Sequence, residues 1–330
     1  MTTREHTNDY FNGTAFMTLS AVALAVVTAI AVAMGLKPDA LEGTGIFFTL
    51  RGTLIEPGPV SAMINLLGLL ATGSIMLALN KVFSFVRSVT RLFVSAFWLL
   101  QLAHPAGLVA FNAGTLLALV TAVSIMPLFA SYQDRHSQRS IFLIFTLIAA
   151  GSMFHYCFLA LIPAFLLGFL NMGVFNLKGL LAMLFGLITP FWIVLGLGIA
   201  SPQDFVMPHI NGIWNLVWTP QVSLELVLAT ATAVTGITLA VMNLMTIMNY
   251  RMQTRVYNAF FVFVLITVII ALCLNYDEMT IFMPLLGLMV AVQMAHSYTL
   301  RASAMPYRYV FMLVFIGCCA ALAAANMMMR

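Results

Sequence analysis

Apolar blocks without a single Asp, Glu, Lys or Arg make up most of this chain: residues 92–133, 141–177, 179–203, 226–250, 256–276 and 279–300 are all of this kind, and charge collects in the short segments between them. An ion placed at the centre of a bilayer costs about 2.5–3.5 kcal/mol, so a chain that crosses lipid repeatedly keeps its ions in the connections. At about 20 apolar residues per crossing, the pattern predicts helices near 14–35, 60–80, 88–104, 108–131, 179–199, 223–248, 256–274, 279–298 and 309–327. The apolar run 140–171 is too long for one upright helix and short for two. Arg135 and Arg139 precede it and Lys178 follows it, so both its ends belong on one side, and a hairpin of two short helices turning near 152–156 meets that requirement. The expected fold class is all-α: a polytopic transmembrane bundle of about 11 helices (10–12), forming a single integral membrane domain over 1–330.

Charge then orients the bundle. With eleven crossings and the N-terminus cytoplasmic, Arg4, Lys81, Arg87, Arg91, Arg135, Arg139, Lys178, Arg251, Arg255, Arg301 and Arg308 fall inside, leaving Lys37, Arg51 and Arg330 outside. That excess of basic residues on one side is the positive-inside bias. Acidic residues lean the other way, with Asp39, Glu42, Glu56, Asp204, Glu225, Asp277 and Glu278 outside or at that border. A bacterial inner (cytoplasmic) membrane is the expected location, and membrane lipids and other inner-membrane proteins are the expected partners.

Composition excludes a soluble chain: 62% of residues are hydrophobic and 7% charged, against about 25% charged in soluble domains. Mean hydropathy is +1.04. The net charge of +4 does not point to nucleic acid, because the basic residues form small groups beside apolar blocks and never a stripe. The polar start MTTREHTNDYFNGT carries Glu5 and Asp9, and the stretch 14–36 is long enough to span, so the first helix is read as a retained one and not a cleaved signal. Cys157, Cys273, Cys318 and Cys319 have no metal-ligand spacing and read as packing residues; no metal and no cofactor is expected.

Two longer outer loops, about 37–58 and 200–222, have room for chemistry. The first combines Asp39, Glu42, Arg51 and Glu56 with several glycines and prolines. The second carries Asp204, His209, Trp214 and Trp218 and no basic residue. Tryptophans in such a position anchor the headgroup region, and an interfacial segment packing the outer rim is the plain reading. Asp39, Glu42, Asp204 and His209 are the catalytic candidates, since a carboxylate at the outer leaflet can accept the proton of an attacking hydroxyl. Arg87, Arg91, Arg135, Arg139, Arg251 and Arg255 at the inner rim are candidates for binding anionic lipid headgroups, with topology control as the simpler role.

Inside the apolar segments the polar inventory is uncharged: Asn65, Gln101, His104, Asn112, His155, Asn171, Asn243, Gln293 and His296. Helix-to-helix hydrogen bonds account for most residues of this kind, and the lack of a mid-membrane ion argues against an ion-driven pump. Pro127, Pro163, Pro190 and Pro284 lie within apolar blocks, where each frees a backbone carbonyl. No inverted repeat links the halves.

Two stretches carry a resemblance. LNKVFSFVRSVTRLFVSAFWLLQLAHP (79–105) supplies Asn80, Lys81, Arg87 and Pro105, and LNMGVFNLKGLLAMLFGLITPFW (170–192) supplies Phe175, Asn176, Lys178, Gly186 and Pro190. These resemble the two blocks of a domain-of-unknown-function family of polytopic inner-membrane proteins from Bacteroidota. The chain departs from the family pattern at Leu177 and Lys178, where tryptophan and arginine are usual, and at Phe185, where leucine is. The resemblance implies a lineage and an envelope setting. A fainter architectural similarity links Asp39 and Glu42, just after the first helix, to polyprenyl-phosphate-sugar glycosyltransferases, which carry acids in that loop. Three functions follow as alternatives: a subunit or scaffold in cell-envelope biogenesis, an outer-leaflet glycosyltransferase or related enzyme acting on lipid-linked sugars, and a transporter or flippase for an amphipathic solute using the Pro190 helix as a moving part. The first is preferred, because no motif points to catalysis.

Overall fold

A computed structural model describes residues 11–38, 42–51, 57–86, 90–208, 210–247, 251–300 and 305–329. Among them the chain forms eleven α-helices: α1 (Thr14–Ala33), α2 (Pro59–Phe83), α3 (Leu92–Leu102), α4 (Ala113–Ala130), α5 (Gln138–Phe154), α6 (Leu161–Asn171), α7 (Leu177–Gly196), α8 (Pro220–Ile247), α9 (Met252–Leu274), α10 (Met279–Leu300) and α11 (Met305–Met329). Among the described residues the strands form one small antiparallel ribbon, β1 (Glu42–Thr44) with β2 (Thr49–Arg51), in which Glu42 pairs with Arg51. Among the described residues, seven helices are long and apolar enough to cross a membrane, namely α1, α2, α4, α7, α8, α9 and α10. The chain is a multi-pass membrane protein.

The hairpin expected in 140–171 is present. α5 ends at Phe154, His155 is extended, a 3-10 turn covers Tyr156–Ala160, and α6 returns. Hydrogen bonds sort the helix ends into two sets. Tyr257 of α9 donates to the carbonyl of Phe129 at the end of α4 (3.2 Å) and stacks on its ring. Asn171 at the end of α6 reaches the carbonyl of Val256 (3.4 Å), and Asn176 before α7 reaches that of Arg135 (3.2 Å). Phe83 at the end of α2 joins the same aromatic cluster. Lys81, Arg91, Arg135, Arg139, Lys178, Arg251 and Arg255 therefore gather at one end of the bundle, here the basic end. Arg4, Arg87 and Arg301 lie outside the described residues.

Helix α10 is the axis. Residues 279–296 of it are buried without exception, and α3, α4, α8 and α9 pack around it. Polar side chains on this axis find partners across the bundle: Asn243 of α8 donates to the backbone carbonyl of Gln293 (2.8 Å) and to its Oε1 (2.9 Å), and accepts from Ser297 (2.8 Å). Gln293 in turn donates to Asn258 of α9 (3.1 Å).

Helix α3 differs from the expected span 88–104. Eleven residues rise only about 16 Å, roughly half the hydrocarbon thickness. The remaining distance is covered by irregular backbone and a 3-10 turn over Pro105–Leu108. Non-helical backbone survives at such depth only when protein surrounds it and supplies donors, and both conditions hold. All residues of α3 except Leu100 are buried. Asn326 donates to the Ala103 carbonyl (2.6 Å), and Asn65 and Asn112 donate to that of Gly107 (2.9 and 3.1 Å). Asn112 also caps α4 by accepting from the Thr115 amide (3.0 Å).

Helix α7 is peripheral. Only Gly179, Gly186 and Pro190 are buried, and a Cβ at Gly186 would stand 2.7 Å from the Phe142 carbonyl of α5. Small residues let two helix backbones approach closely in lipid, so these positions serve the α5 contact. The rest of the helix presents apolar side chains outward, with Leu177 74% and Trp192 76% exposed, as a lipid-facing surface requires.

Candidate functional site

At the end opposite the basic one, four segments distant in sequence are joined. The loop between β1 and β2 lies on the tip of the α5–α6 hairpin: the Ile46 amide donates to the Ser152 carbonyl (3.1 Å) and the Phe48 amide to that of Met153 (3.2 Å). Phe48 stacks on Phe154. Gly45 is required at this approach, since a Cβ there would overlap the Met153 carbonyl. The loop 197–219 then crosses above. Its Val206 amide donates to the Ile46 carbonyl (3.1 Å), and the Tyr156 hydroxyl of the hairpin donates to the Val206 carbonyl. Farther along, the Asn211 amide donates to Asn275 Oδ1 (3.1 Å), the Tyr276 amide to the Asn211 carbonyl (3.0 Å), the Asn211 side chain to Asp277, and the Tyr276 hydroxyl to the Asn215 carbonyl (3.3 Å). The result is a cap over the acidic end of the bundle, held largely by backbone groups.

The catalytic candidates read from the sequence do not meet in this cap. Asp39 and His209 lie outside the described residues, and Glu42 contributes its backbone to β1. Asp204 is exposed and engaged by its own turn, accepting from the Ser201 amide (2.7 Å) and hydroxyl (3.0 Å) in a capping box. Those bonds, the backbone one first, favour the ionised form and hold its carboxyl below the usual aspartate range. A carboxylate committed to its own turn is poorly placed to take a proton from a substrate.

The residues that do face one another are His155 and Glu278. His155 sits where α5 ends, and its Nδ1 accepts from the Cys157 amide (3.2 Å). Its Nε2 points toward Glu278 Oε1, 3.8 Å away, with the imidazole 2% and the carboxyl 18% exposed. Among the described residues, neither His155 Nε2 nor Glu278 Oε2 has a hydrogen-bond partner. Burial pushes the His155 imidazole down to about 4, so it is neutral at physiological pH. Glu278 stands just before α10, and burial, then the charge of Asp277, push its carboxyl up to about 7. The sequence reading named both residues, one inside an apolar segment and one outside or at the outer border, but 123 positions separate them. No motif joins them.

At the basic end, Arg135, Arg139 and Arg251 are exposed and Arg91 and Arg255 half-buried, whereas Arg87 lies outside the described residues. Arg255 Nε is buried without a hydrogen-bond partner among the described residues. No three His, Cys, Asp or Glu side chains come together there or elsewhere among the described residues. No protein family, no curated protein and no solved structure matches the chain.

Proposed function

We propose that the chain is a bacterial inner-membrane protein, N-terminus and basic end in the cytoplasm, that serves as a non-catalytic subunit or scaffold in cell-envelope biogenesis. The observation that carries this reading is the cap. The outer loops are bonded to the hairpin tip and to the α9–α10 turn, and Asp204 is spent within its own turn. Above the cap, Phe205, Met207, Ile210, Trp214 and Trp218 remain exposed, a surface suited to the headgroup layer and to neighbouring membrane proteins. The blocks around Asn80 and Pro190 support a place in the Bacteroidota family they resemble.

On this reading the arginines of the basic end lie against the anionic inner leaflet, where each adds about 1 kcal/mol of attraction. The test is quantitative cross-linking in native membranes followed by purification in mild detergent. The chain should recover a stoichiometric inner-membrane partner, and replacing Trp214 and Trp218 together by serine should reduce its yield several-fold. Purification as a lone monomer from cross-linked membranes contradicts the scaffold role.

A further inference from the structure

The imidazole of His155 and the carboxyl of Glu278 point at each other across 3.8 Å, a separation beyond hydrogen-bonding range, and each keeps an atom without a partner among the described residues. Glu278 alone has an ordinary explanation in the N-terminus of α10. His155 does not, because a buried ring nitrogen without a partner is a cost that a plain packing role would have removed. We propose that His155 and Glu278 together bind one hydroxyl group of a ligand that reaches the acidic end of the bundle. The proposal goes beyond the scaffold reading and does not depend on it.

The chemistry follows from which atoms can give and take. His155 Nδ1 is occupied as an acceptor by the Cys157 amide, so the proton of the neutral ring resides on Nε2, which must donate. Burial, and then Asp277, push the Glu278 carboxyl up to about 7; ionised, as it is above that pH, it can only accept. A ligand between them therefore needs a lone pair for the imidazole and a proton for the carboxylate on the same small group. An ammonium has no lone pair for Nε2–H. A phosphate or carboxylate has no proton for Glu278 and would be repelled by it and by the neighbouring Asp277, with no Lys or Arg in the loop 197–219 to compensate. A hydroxyl satisfies both. The partial exposure of Glu278 and the exposure of Asp277 place the entry on the side of the α9–α10 turn.

Such a hydroxyl is carried either by a lipid headgroup or by a water-soluble sugar. Thermal unfolding of the full chain in nanodiscs at pH 8, where Glu278 is ionised and His155 neutral, separates the two, with phosphatidylglycerol compared against phosphatidylmethanol, which has the same charge and no hydroxyl, and with methyl glucoside added from the aqueous phase. At about ten times its dissociation constant a bound probe raises the midpoint by about 2 °C. His155→Asn keeps an acceptor for the Cys157 amide and loses the Nε2 donor, and Glu278→Leu removes the acceptor; both should abolish the shift. A shift from phosphatidylglycerol alone, lost in both variants, supports the site with a lipid-borne ligand. A shift from methyl glucoside, lost in both, supports it with a soluble one. No shift from either probe, an equal shift from phosphatidylmethanol, or a shift retained in both variants overturns it. Should a variant fail to fold, the wild-type His155 ring ¹⁵N resonance decides, because it must move with a hydroxyl-bearing probe and stay fixed with phosphatidylmethanol.

Discussion

Asn243 offers the sharpest test of how the bundle is held. Its side chain is 1% exposed and makes three hydrogen bonds to α10, two to Gln293 and one from Ser297. Asn243→Leu keeps the volume roughly constant and removes all three. Interhelical bonds in membrane proteins average about 0.6 kcal/mol with a maximum near 1.7, so the loss should be about 2 kcal/mol and no more than about 5. Gln293 retains its bond to Asn258, which limits the damage to the α8–α10 contact. The assay is a titration of the full chain from mild detergent into sodium dodecyl sulfate, followed by circular dichroism. Asn243→Leu combined with Gln293→Leu should cost less than the sum of the two single changes, because both variants delete the bond from Asn243 to Gln293 Oε1. A single-variant loss below about 0.5 kcal/mol, or strict additivity, would refute the claim that this network joins α8 to the central helix.

Three further outcomes are expected. Gly45→Val drives a side chain into the Met153 carbonyl and should lift the cap, so that Cys157, buried beneath the hairpin tip, reacts with a soluble maleimide at least several-fold faster than in the parent chain. His155 should show no inflection in its ring ¹⁵N shifts from pH 8 to pH 5.5 and titrate near 4; because burial depresses a base here, the unfolded chain takes the proton first, and this group destabilises the fold as pH falls from about 6.5. Asp204 has a depressed acid pKa, so its contribution is present above about 3.9 and lost as pH falls through the folded value. Protection of the Ser201 amide from hydrogen exchange should disappear over that acid range in the parent chain and be absent at neutral pH in Asp204→Ala.

The bundle was legible because lipid imposes one rule on every crossing. The apolar blocks predicted the helices, and Arg135, Arg139 and Lys178 were enough to infer the α5–α6 hairpin, whose break falls at His155. Helix α3 was read too long, since Trp98, Phe97 and Leu102 are as apolar as a full span, and nothing local signals that Asn65, Asn112 and Asn326 would satisfy the backbone beyond it. The ribbon 42–51 carries no strand periodicity and owes its place to the hairpin tip it rests on. For the site, counting acids in the outer loops selected Asp204, whose proximity to Ser201 is a turn signature visible in SPQD. The pairing of His155 with Glu278 depends on how α5, α6 and α10 pack, which a single sequence does not encode as a spacing.

Sidedness underlies the whole account and is tested most directly by single cysteines placed in a chain whose four native cysteines have been replaced by alanine. Arg135→Cys and Arg251→Cys stand at the basic end, and Asp204→Cys stands on the cap. In intact bacterial cells, or in spheroplasts where an outer membrane is present, a membrane-impermeant maleimide should label Asp204→Cys at once and reach the other two only after the inner membrane is permeabilised. Labelling of Arg251→Cys and Arg135→Cys from opposite sides, or of all three from the same side, would contradict the account.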